Sequence, residues 1–96
     1  MDIVYVVIIH EDSLDELDTK VYVHRTTVGL YERLCDYIQK LKSYQWDCDM
    51  PRRPTIDEVN TQLRSTTEAV TLYKIGEFAN DRFTIEFTAQ RHILGD

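Results

Sequence analysis

Residues 3–9 read Ile-Val-Tyr-Val-Val-Ile-Ile, an almost unbroken apolar run dominated by β-branched side chains. That composition and length suit a strand buried on both faces, so Ile3–Ile9 is predicted to be a central strand of a sheet. The next strand-like segment, Thr19–Arg25, alternates. Val21 and Val23 point one way and Lys20, Tyr22 and His24 the other, the pattern of a half-buried strand.

Between the two lies His10-Glu11-Asp12-Ser13-Leu14-Asp15-Glu16-Leu17-Asp18. Five of the eight residues from Glu11 to Asp18 are carboxylates and none is basic, in a chain whose net charge is 11 − 17 = −6. The segment thus holds most of the excess charge and the remainder is nearly balanced. Read as an inter-strand loop over residues 10–18, it is longer than a tight hairpin turn and free to project carboxylates toward a cation or a basic partner.

A helix follows. Thr26-Thr27 offers an N-cap, and Leu30, Leu34, Ile38 and Leu41 recur at spacings of four, four and three up to about Ser43, with Tyr31, Cys35 and Tyr37 widening the stripe. Residues 44–54, Tyr-Gln-Trp-Asp-Cys-Asp-Met-Pro-Arg-Arg-Pro, are irregular because two prolines stop a helix and favour extended backbone. Thr55-Ile56-Asp57-Glu58 then matches a capping box, and Ile56, Val59 and Leu63 form the narrow stripe of a short helix ending near Arg64 or Ser65.

The last third reads as a hairpin. Ala69–Ile75 alternates Val70, Leu72 and Lys74 against Thr71, Tyr73 and Ile75, and Arg82–Thr88 alternates Phe83, Ile85 and Phe87 against Thr84, Glu86 and Thr88. The tail from Ala89 is expected to fray. The order ββααββ predicts a two-layer α+β domain in which two helices lie on one face of a four-stranded, mainly antiparallel sheet. Ninety-six residues are enough for one such domain, 1–96.

Several function classes find little support. The eleven basic residues are scattered, so direct nucleic-acid binding is not expected. The three histidines, His10, His24 and His92, form no triad with a nucleophile, and Gly29, Gly76 and Gly95 are isolated, so neither a catalytic constellation nor a phosphate loop is legible. The acids at 11, 12, 15, 16 and 18 lack the central glycine of a calcium loop, and position 14 is Leu where a zinc helix would need His. Cys48 sits between Asp47 and Asp49, which disfavours a thiolate, and Cys35 reads as a small core residue. The expectation is therefore a non-enzyme with no metal and no cofactor. The N-terminal run is too short to span a bilayer and has neither a basic flank nor a cleavage site, which predicts no membrane association and a cytoplasmic location.

The residues expected to bind a partner are Glu11, Asp12, Asp15, Glu16 and Asp18 in the acidic segment, with Trp46, Asp47 and Asp49 in the irregular connection. Trp46 is the most promising anchor, because tryptophan and tyrosine are enriched at interfaces. In size, acidity and α+β layout the chain resembles small accessory proteins of phages and mobile elements, including anti-CRISPR and other anti-defence inhibitors. That resemblance implies a protein partner with a basic, nucleic-acid-binding surface, blocked by carboxylates that stand in for phosphates, and a site of action in the host cytoplasm. The alternative is a self-associating module, a homodimer meeting through its Tyr- and Thr-rich strand faces or an edge strand.

Overall fold

The computed structural model describes residues 2–12, 17–43, 50–77 and 83–95. The elements are β1 (Asp2–Asp12), β2 (Leu17–His24), α1 (Thr27–Leu41), α2 (Ile56–Arg64), β3 (Val70–Glu77) and β4 (Phe83–Leu94). The strands form one antiparallel sheet in the order β2-β1-β4-β3. The protein is an α+β fold, as the element order requires.

Both helices begin where their caps place them. The Thr26 hydroxyl accepts the Gly29 N–H at 3.0 Å. Thr55 accepts the Glu58 N–H while the Glu58 carboxylate accepts the Thr55 N–H, so the capping box closes in both directions. Leu30, Leu34, Tyr37, Ile38 and Leu41 of α1 and Val59 and Leu63 of α2 are buried. They form one core with Val7 and Ile9 of β1, Ile85, Phe87 and Ala89 of β4, and Leu72, Tyr73 and Ile75 of β3. The end of the irregular connection is fastened by two tyrosines, Tyr31 donating to the Pro54 carbonyl at 2.7 Å and Tyr73 to the Pro51 carbonyl at 2.8 Å.

Four expectations need correction, and the structure decides which side of β2 faces inward. The tail does not fray: β4 continues to Leu94, and Gln90–Leu94 pair with Val6–Asp2. The N-terminal half of β1 would otherwise lack a partner on that side, and its backbone groups supply the pairing. The connection between β1 and β2 is shorter than residues 10–18, because β1 runs on to Asp12 and β2 starts at Leu17, with Glu11 opposite Asp18 and Asp12 opposite Leu17.

In β3 the register shifts between Thr71 and Tyr73. The irregularity turns Leu72 and Tyr73 inward together, which simple alternation forbids, and leaves Lys74 exposed. In β2 the half-buried side is Lys20, Tyr22 and His24, while Val21 and Val23 are 59% and 62% exposed. Finally, β1 is central as expected but is covered on one face only. Val7 and Ile9 are fully buried, whereas Ile8 on the other face is 37% exposed.

Candidate functional site

The helix-free face of the sheet is divided in two. Its β3–β4 half is polar and internally bonded: Thr71 donates to Glu86 Oε1 at 3.1 Å, Lys74 lies 4.0 Å from Glu86 Oε2, and Thr88 donates to the Ile8 carbonyl at 3.1 Å. Its β1–β2 half is aliphatic at the centre, with the exposed pair His10 and Thr19, 3.2 Å apart, toward the hairpin end. Val6 stands opposite Val23 and Ile8 opposite Val21, with Val4 further along β1. Leu17, opposite Asp12 at the hairpin end, is 66% exposed. Cross-strand pairs of β-branched residues like these stabilise a sheet best when something lies over them. No described element does.

The hairpin end brings part of the expected acidic site onto this surface. Asp12 and Asp18 are exposed. By strand alternation Asp12 shares the aliphatic face and Asp18 the helix side. Glu11 is not displayed as the sequence suggested. It faces the helices, accepts the Tyr37 hydroxyl proton at 2.6 Å, and is paired with Lys20 at 3.4 Å. Lys20 also lies 3.9 Å from Asp18. Asp15, Glu16, Trp46, Asp47 and Asp49 lie outside the described residues.

A groove of about 430 Å³ runs between β2 and α1, and it was not legible in the sequence. Arg33 is held there from two sides. Its Nε donates to His24 Nε2 at 2.8 Å, and its guanidinium stacks on Tyr22, 3.6 Å from the ring centroid. Accepting at Nε2 leaves the His24 proton on Nδ1. Gly29 lies beside that nitrogen: a Cβ at position 29 would stand 3.4 Å from it and 3.3 Å from the Thr26 hydroxyl. Burial, followed by the Arg33 charge, holds the His24 pKa below its ordinary value. Lys20 and Lys40 on the groove wall are matched by Glu32 and Asp36, so the groove carries mixed charge. The one sequence signal for it was the polar alternate set Lys20, Tyr22, His24, which only the position of α1 identifies as inward-facing.

Among the described residues no three His, Cys, Asp or Glu side chains gather as a metal site, and no helix is long and apolar enough to cross a membrane. No known protein family, curated protein or solved structure gives a significant match to the chain.

Proposed function

We propose that the chain is a non-enzymatic protein-binding module that docks through the β1–β2 half of its open sheet face. The observation that carries this reading is the pair of cross-strand neighbours Val6–Val23 and Ile8–Val21, in which Ile8, Val21 and Val23 are exposed and Val6 is half-buried. The β1 sequence is apolar on both faces, but the helices cover only one. An exposed aliphatic patch rimmed by charge is the form an interaction surface takes. Asp12 puts negative charge at its hairpin end, with Asp18 exposed on the opposite side of the same strand pair, which suits a partner with basic side chains around an apolar centre.

With the net charge of −6, this supports the role of a small inhibitor that occupies a basic, nucleic-acid-binding surface of a defence protein in the host cytoplasm. Affinity capture from host lysate, nuclease-treated and run over a salt series, tests it. One basic protein should be retained at low salt and lost as salt rises. Changing Asp12, Asp15, Glu16 and Asp18 to Asn or Gln should weaken that capture by more than about tenfold. Retention indifferent to salt and to these changes overturns the electrostatic part of the proposal.

A second reading, self-association, has its own support. The β3 edge is blunted by its register shift and by Lys74, whereas β2 presents a regular edge over its whole length. Antiparallel pairing of two β2 strands about Val21 would set Asp18 opposite His24 of the second copy and bring no like charges face to face. Sedimentation equilibrium distinguishes the two: a strict monomer at high concentration removes this reading.

A further inference from the structure

We propose that a pocket on the helix side of the sheet, separate from the open face, is a binding site for a phosphoryl group. The pocket has a volume of about 220 Å³ and is lined by Tyr5, Thr27, Asn60, Leu63, Arg64 and Arg91. Two guanidinium groups line it and no carboxylate does. That composition is unusual for a chain in which 17 acidic residues outnumber 11 basic ones. It also separates this pocket from the groove beside β2, where Glu32 and Asp36 offset the cations.

Four elements build the site. Tyr5 and Arg91 are register partners on β1 and β4, Thr27 opens α1, and Asn60, Leu63 and Arg64 come from α2. Among the described residues neither Arg64 nor Arg91 forms an ion pair. The Arg91 Nε is buried and has no hydrogen-bond partner. A buried guanidinium donor without an acceptor is costly, and native structures rarely leave one so. An oxyanion in the pocket offsets the guanidinium charge, and a small shift of the Arg91 side chain that opens Nε to it supplies the missing acceptor. A planar fork beside a second arginine matches the several oxygens of a phosphoryl group. The first turn of α1 contains no acidic residue, so nothing on that turn repels an anion.

The phosphoryl group can come from free phosphate or from a small phosphate monoester, since both present the same oxygens. The test uses the full chain labelled with nitrogen-15, titrated with inorganic phosphate and, in parallel, with an alkyl phosphate monoester. Ionic strength is held constant with sodium chloride. The Arg91 and Arg64 Nε–H signals should move saturably with at least one probe, and the tighter probe identifies the source. R64Q removes a surface side chain and should leave the fold intact while weakening binding by about tenfold or more, the loss expected for one charge-assisted contact. R91Q should do the same, with folding checked by the unchanged amide spectrum of β1 and α2. Shifts no larger than those caused by chloride, or equal affinity in R64Q and the parent chain, would overturn the proposal.

Discussion

The Tyr37 hydroxyl donates a 2.6 Å hydrogen bond to Glu11 Oε1, joining the middle of α1 to the hairpin end of β1 across 26 positions of sequence. The contact lies at the border of the core, where Tyr37 packs its tilted ring 6.1 Å from that of Phe87. It takes one carboxylate out of the acidic cluster and gives it a structural task. Y37F should therefore destabilise the fold by about 1.5–3 kcal/mol, the range for a hydrogen bond to a charged group. E11Q keeps an acceptor and should cost less. Urea unfolding followed by circular dichroism measures both, and a Y37F midpoint equal to the parent's would show that the bond contributes nothing.

The C-terminal end of β4 has an equally direct consequence. Deleting residues 91–96 removes the partners of Asp2–Tyr5 and strips one flank from the first third of β1. The melting temperature should fall by at least about 4–8 °C, the equivalent of about 1 kcal/mol in a domain of this size. A tail without structural role would leave it unchanged.

Histidine 24 predicts a pH dependence near neutrality. Its folded pKa lies below the ordinary 6.5, first because of burial and then because of Arg33. The unfolded chain therefore binds more protons as pH falls, so this contribution to stability is present above about pH 6.5 and is lost on acidification through the folded value. H24Q, which can still accept from Arg33, should flatten the slope of stability against pH between neutrality and pH 5.

Glutamate 58 predicts a second, more acidic window. The Arg52 guanidinium donates to both of its oxygens, at 2.8 and 2.9 Å, and the Thr55 N–H adds a third bond. Together they hold the Glu58 pKa down from 4.5 to about 2. Because the folded value is the lower one, the stabilisation is complete above about pH 4.5 and is lost as pH falls toward 2. R52Q should reduce the loss over that interval without changing the ordering of α2, whose cap also rests on Thr55. Thermal melts at pH 5 and pH 3 read the difference.

Helix limits, the capping box and the α+β layer order were legible because each depends on residues close in sequence. Thr55 and Glu58 are three positions apart, and Leu30, Leu34, Ile38 and Leu41 share one turn-to-turn stripe. What was not legible depends on partners far along the chain. The alternation of Val21 and Val23 with Lys20, Tyr22 and His24 is symmetrical, and hydropathy favours the valines as the inward set. Arg33 and Tyr37 reverse that choice by giving Tyr22, His24 and, through Glu11, Lys20 polar company beneath α1. The register shift beside Tyr73 has no signature in the local pattern. Nor could Gln90, Arg91 and His92 be told from a polar tail until β1 supplied their partners. Of the expected binding residues, Asp12 is exposed at the end of the aliphatic face, Asp18 is exposed on the helix side, and Glu11 is turned toward α1.

The most direct test of the interface is the double variant V21K/V23K. Both side chains are more than half exposed, so the isolated chain should unfold within about 0.5 kcal/mol of the parent. Placed at the centre of the β1–β2 face, two lysines should nevertheless abolish capture of the partner from host lysate while an equally charged control, T61K/Q62K on the exposed side of α2, retains it. Undiminished capture by a folded V21K/V23K would contradict the account, because the partner would then be held elsewhere on the molecule.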